Sequence, residues 1–220
     1  MFAVPPGSLL EDIITQFHTK TNIPLERPFT TFLHYLGSWL LKEDVRVVVG
    51  SSTELEEQKT VLMDFWTIVL AASGAGKTWT QKEIANGLGD VAPKIGGSVS
   101  AAAFIDELDK NPKALWIRDE FLHLLKQIEQ PGNPMMDVKD YLLRIHDNEK
   151  ISRTTKKYDI NIEEPALSIL GFNVDATFIN GMSAESLIDG FAQRFGYVFA
   201  DKDPKRPFQK YAFWTVNSSS

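Results

Sequence analysis

The chain has 220 residues, 43% of them apolar and 24% charged, with a formal net charge of −6. That balance supports one large domain with a sizeable core and argues against a uniformly basic, nucleic-acid-coating surface. Cysteine is absent, which excludes disulfides and thiolate metal sites. No apolar run approaches the roughly 20 residues that span a bilayer, and MFAVPPGSLLED at the start lacks the features of a signal peptide, so a soluble, cytoplasmic protein is expected.

Residues 8–19 predict an amphipathic helix, with Ser8 and Glu11 in capping-box spacing and Leu9, Ile13, Ile14 and Phe17 on one face. A second helix is expected after Pro28, carrying Phe32, Leu33, Tyr35, Leu36, Trp39 and Leu40. The apolar stretch VRVVV at 45–49 reads as a short strand, followed by the polar loop SSTELEEQK. FWTIVLA at 65–71 is an almost unbroken apolar run, as in the middle of a parallel sheet covered by helices on both faces. Helices are predicted at 77–88 and 100–110, and ALWIR at 114–118 is a second buried strand. Two more helices, at 119–129 and 136–147, flank the breaker-rich QPGNP. Residues 149–163 alternate as two strands with a tight connection, LSILGF at 167–172 is a third buried strand and GYVFA at 196–200 a fourth. Strands alternating with helices predict an α/β sheet. The expected organisation is a helical cap and lead-in strand over 1–60, an α/β core over 61–208 and a tail over 209–220.

Residues 71–78 read AASGAGKT, a phosphate-binding-loop pattern with Ala71 where glycine is usual. Ser73, Gly74, Ala75 and Gly76 are small enough for successive backbone N–H groups to curl around a phosphate, and the following helix aims its N-terminus at the same anion. Lys77 would reach the outer phosphates of ATP, and the Thr78 hydroxyl would ligate Mg2+. The alternative is a plain glycine turn, but the match lies between a buried strand and a helix, the context the motif requires.

Two acidic pairs compete as its partner. Asp106–Glu107 follows SVSAAAFI, where Ala101, Phe104, Ile105 and Leu108 have helical spacing. Asp119–Glu120 follows bulky apolar residues after Asn111-Pro112, and so ends a central strand. Strand ends are where ligands bind in doubly wound sheets. Asp119 is therefore the expected Mg2+ holder and Glu120 the residue that polarises attacking water; Asp106–Glu107 is expected to be surface charge.

In register, these pieces make the chain resemble a family of phage and plasmid ATPase domains found beside primases, related to superfamily 3 helicases and the wider AAA+ class. The resemblance runs from about Pro5 to Phe208, on SGAGKT, IRDEF, ISRTTKK, PALSILGFN and DGFAQRFGYVF; the last two segments are also similar to minichromosome-maintenance helicases. It implies a P-loop ATPase sheet, an ATP-driven ring, a hexamer, acting on single-stranded DNA in phage or plasmid replication, with primase or other replication proteins as partners. It also implies that Asn173 is a sensor of the terminal phosphate and that Arg194 is an arginine finger acting on a neighbouring subunit. The plainer alternatives are a strand-ending asparagine and a surface pair between Arg194 and Asp189.

EKISRTTKKYDINI carries Lys150, Arg153, Lys156 and Lys157 around an expected turn at Thr154–Thr155. Positive charge at such a tip suits phosphate tracking in a ring's pore, and the resemblance implies the same use; a solvated turn is the alternative. The four histidines have no metal-ligand spacing. His123, three positions past Glu120, could approach the active site or simply face solvent. Trp79 opens the helix after the loop, where it would border a base or join the core. The rivals to a motor are a nucleotide-dependent loader or switch that recruits partners without unwinding DNA, and an assembly ATPase that uses bound nucleotide structurally.

Overall fold

The computed structural model describes residues 4–49, 59–72, 76–89, 91–154, 159–182 and 190–201. Its centre is a five-stranded, wholly parallel sheet built from β3 (Trp66–Leu70), β4 (Lys94–Ile95), β5 (Lys113–Arg118), β8 (Ala166–Asn173) and β9 (Gly196–Phe199). Their order across the sheet is β4-β5-β8-β3-β9. All eight residues of β8 are buried, because strands pair on both its sides and helices cover both faces.

The pleat sends alternate side chains to opposite layers. On one face Trp66, Ile68, Trp116, Leu167 and Ile169 pack against α4 (Ala101–Lys110), α5 (Phe121–Glu129) and α6 (Val138–His146). On the other, Leu115 meets a cluster from α1 (Leu9–Lys20), α2 (Glu26–Lys42) and α3 (Lys77–Leu88), including Phe17, Phe32, Tyr35 and Ile84. The N-terminal helices thus share a core with the sheet. Sheet and helices form three layers.

Local chemistry explains most boundaries. Ser8 Oγ accepts the Glu11 N–H at 3.2 Å, and Ser100 Oγ caps α4 by accepting the Ala103 N–H at 3.2 Å. Helix α2 begins at Glu26, before Pro28, because proline lacks only an N–H that the first turn leaves unbonded anyway.

Three elements lie outside the sequence reading: β2 (Lys59–Leu62), the two-residue β4, and α7 (Asp175–Gly181). β1 (Arg46–Val49) pairs antiparallel with β2, Val47 opposite Val61, in a ribbon apart from the main sheet, and all four residues of β1 are exposed. A second ribbon joins β6 (Ile151–Thr154) and β7 (Asp159–Ile162) antiparallel, with Ile151, Ile160 and Ile162 buried. Among the described residues no helix is long and apolar enough to cross a membrane.

Candidate functional site

The chain leaves β3 toward β4 at one edge of the sheet, while after β8 it crosses β3 to reach β9 at the other. Where the direction of travel reverses, a crevice opens beyond the carboxyl ends of the strands. Three neighbouring strands deliver candidate residues there. The chain between β3 and α3 holds the glycine-rich segment, β8 ends on Asn173, and Asp119 and Glu120 follow β5. Leu70 is in register with Asn173, and Arg118 with Gly171. Two inter-strand spacings separate β3 from β5, about 10 Å, with Asn173 between them.

Ser73, Gly74 and Ala75 lie outside the described residues, and of Lys77 only the backbone is described. What flanks them is informative. Gly76 caps α3 with φ +74°, in the left-handed region where glycine is at ease. Thr78 is exposed in the first turn. Ala71 extends the ladder, its N–H donating to the Asn173 carbonyl at 3.1 Å. Its methyl is fully buried in a cluster with Val69, Leu170, Phe172 and Ala200, so the departure from glycine serves the core. Trp79 packs edge-on against Phe17 at 5.4 Å between centroids, within the N-terminal helical layer.

Asp119 and Glu120 are both exposed. Asp119 Oδ1 accepts the Glu120 N–H at 3.0 Å, and Glu120 has φ 51° and ψ 47°. That left-handed conformation is unfavourable for a glutamate, and such outliers gather at functional turns. The Asp119 carboxylate, accepting the Glu120 N–H, helps to hold it. Asn173, 5% exposed, accepts the Leu122 N–H on Oδ1 at 3.2 Å and donates from Nδ2 to the Val174 carbonyl at 3.0 Å. It thereby satisfies a first-turn donor of α5. Gly171 makes room: a Cβ there would lie 2.7 Å from the Phe121 ring.

Asp119, Glu120, Asn173, His123, Lys126 and Thr177 line a cavity of about 460 Å³ together with Leu122 and Val174. His123 therefore faces the acidic turn. Lys126 and Thr177 went unremarked in the sequence, where nothing separates a crevice-facing lysine from a solvated one. Arg118, also missed, stacks over Trp116 with 5.6 Å from Cζ to the ring centroid, and burial lowers its pKa. The other acidic pair is more than surface charge, because the Glu107 carboxylate accepts the Gly96 N–H at 2.6 Å and lies 3.4 Å from Ser98 Oγ. It braces the end of β4 against α4.

Arg194 does not join this group. It sits in a short 3-10 turn, Ala192–Arg194, before the amino end of β9, opposite its own chain's crevice. Nη1 donates to the Gly190 carbonyl at 3.3 Å and Nη2 pairs with Asp147 Oδ2 at 3.4 Å; Asp189 lies outside the described residues. His146 Nδ1 lies 3.1 Å from Asp147 Oδ1. The hydrogen bond from His146, with Arg194 nearby, holds the Asp147 carboxyl below its ordinary range, whereas burial raises that of Asp64. Arg194, Arg46, Asp64, Trp66, His146 and Glu164 line a second cavity of about 490 Å³ at this end.

Of the basic residues of the β6–β7 ribbon, Lys150 and Arg153 are described. Lys156 and Lys157, with Thr155, lie outside the described residues. Lys150 is at the open end rather than the tip, 2.9 Å from Glu163 Oε1. Arg153, two residues on from the buried Ile151, lies half-buried on the same side of the ribbon.

Thr78 and Asp119 offer hard oxygen donors that suit Mg2+, which in nucleotide sites takes most of its ligands from phosphate and water. No known protein-family model matches the chain, and no curated protein matches it by sequence.

Proposed function

We propose that the chain is a P-loop ATPase that works as a ring-shaped, hexameric motor on single-stranded DNA in phage or plasmid replication, within the cytoplasm and beside primase or other replication proteins. One observation supports the ATPase part: β3, β8 and β5 lie side by side, so the segment leading to α3, Asn173 and the strained Asp119–Glu120 turn all follow the carboxyl ends of neighbouring parallel strands. The glycine-rich segment would cradle the phosphates, with Lys77 on the outer ones. Thr78 and Asp119 would hold Mg2+, which when bound neutralises charge on the phosphates. Glu120 would accept a proton from the attacking water. Asn173 Oδ1 ties the first turn of α5 to the end of β8, and of the two Nδ2 N–H donors one goes to the Val174 carbonyl, which leaves the other to donate to a phosphate.

The ring and the finger rest on the family resemblance and on the position of Arg194, which can reach a nucleotide only in another subunit. One observation favours the rival reading, a loader or switch that recruits partners. Arg194 and Asn173 are both held by groups of their own chain, a resting arrangement that a partner could release. ATP turnover with and without single-stranded DNA tests both readings. Turnover abolished by Lys77→Ala supports the ATPase, and stimulation by DNA supports the motor. Stimulation by a protein partner alone supports the switch, and unchanged turnover in folded Lys77→Ala removes the P-loop assignment.

A further inference from the structure

We infer that Lys126 is an in-chain cation that recognises the terminal phosphate of a nucleoside triphosphate, so that the crevice distinguishes triphosphate from diphosphate. This rests on the nucleotide-binding reading above and adds a residue that the glycine-rich motif does not contain.

Lys126 shares its cavity with Asp119, Glu120 and Asn173. It is exposed, and it forms no ion pair among the described residues. Helical side chains lean back toward the N-terminus, so the flexible stem of Lys126, on the second turn of α5, starts out in the direction of the acidic turn that precedes the helix and lines the same cavity. His123 is three residues earlier, on the same helical face, and adds a second nitrogen base to that wall.

Beside Lys126, a glycine on α7 leaves room for its head group. Gly181 ends α7, and a Cβ there would meet Leu122 Cδ2 at 2.5 Å and Lys126 Nζ at 3.3 Å. The missing side chain lets α7 close against α5 while the ammonium stays at the cavity wall.

The layering decides which phosphate the ammonium meets. Helix α3, which carries Lys77, packs on one face of the sheet, and α5 packs on the other. Two lysines would therefore approach the crevice from opposite faces. Lys77 comes with the loop that cradles the inner phosphates. Lys126 comes with the carboxylate expected to activate water, which must stand beside the terminal phosphorus. A charge on that side interacts with a group that ADP lacks.

The test compares Mg2+-dependent binding of ADP and of a non-hydrolysable ATP analogue to the full chain, by calorimetry. Lys126→Met keeps the unbranched stem against Leu122 and removes the charge; Lys126→Arg keeps the charge. Lys126→Met is expected to weaken the triphosphate analogue about tenfold, the scale of one charged hydrogen bond, and to leave ADP unchanged. Lys126→Arg is expected to restore most of the difference. Equal weakening of both ligands, or no change in either, overturns the inference while leaving the ATPase reading standing. A wild-type chain that binds neither ligand overturns both.

Discussion

The two ends of the parallel sheet both gather charged side chains and treat them in opposite ways. At the amino end Arg46 pairs with Glu164, and His146, Asp147 and Arg194 form a chain of contacts of 3.1–3.4 Å. At the carboxyl end Glu120, His123 and Lys126 line one cavity without an ion pair among the described residues, and Glu120 bears an unfavourable backbone conformation. Charges that satisfy one another hold a shape. Charges left facing a cavity, on a strained turn, are a cost in stability that binding a ligand can offset. Both ends enclose a cavity, and on the proposed function the strained carboxyl end would receive the nucleotide while the amino end would act on another molecule.

The largest expected effect would break that division. Arg194→Ala should lower ATP turnover by about 10³–10⁵-fold if the guanidinium works on a neighbour's nucleotide. Mixing Arg194→Ala with Lys77→Ala subunits should restore part of the activity, because some interfaces then keep both an intact finger and an intact loop. If Arg194 only holds Asp147, the variant keeps full turnover and loses a little thermal stability.

Next in size is the carboxyl end itself. Glu120→Gln should retain ATP binding and lose about 10²–10⁴-fold in turnover, since an amide cannot take the proton from water. Glu107→Gln provides the contrast: turnover stays near wild type, while stability falls by about 1 kcal/mol as a charged hydrogen bond to Gly96 weakens. A pair of assays in which Glu107→Gln stops hydrolysis and Glu120→Gln does not would reverse the assignment.

The middle of the sheet offers a smaller, pH-dependent effect that belongs to neither end. His34 on α2 is buried, lies 3.1 Å from Ser168 of β8, and burial lowers its pKa to about 3. An unfolded histidine takes up a proton below about 6.5. Between those values the unfolded chain binds more protons, so acid destabilises the fold, by up to about 1.4 kcal/mol per pH unit. Denaturant titrations across that range should show the slope, and His34→Gln should flatten it without moving either end's chemistry.

The smallest expected change concerns the β6–β7 ribbon. Removing Lys156 and Lys157 should flatten the salt dependence of single-stranded DNA binding by about 1.4 in the log–log slope, roughly 0.7 for each phosphate contact. Basal turnover should survive. An unaltered slope would make the ribbon tip an ordinary solvated turn.

Much of this was legible from local pattern. The near-continuous apolar runs of β3, β5 and β8 mark buried parallel strands, and the placement of Asp119–Glu120 after one of them, and of Asp106–Glu107 on a helix, follows from hydrophobic period alone. VRVVV shows where composition misleads. It is as apolar as β3, yet all four residues of β1 are exposed, because burial depends on what a strand pairs with and what covers it.

By itself the sequence determined the alternation of strand and helix and the candidate residues at strand ends, since these depend on neighbours a few positions apart in the chain. Tertiary structure alone decided the order of the strands, and with it the position of β8 and its terminal Asn173 between β3 and β5. It also turned His123 and Lys126 toward the crevice, put Arg194 at the far end beside Asp147, and moved Lys150 away from the ribbon tip. Those outcomes are contacts between residues distant in sequence. They are fixed by how layers pack, and no local periodicity encodes them.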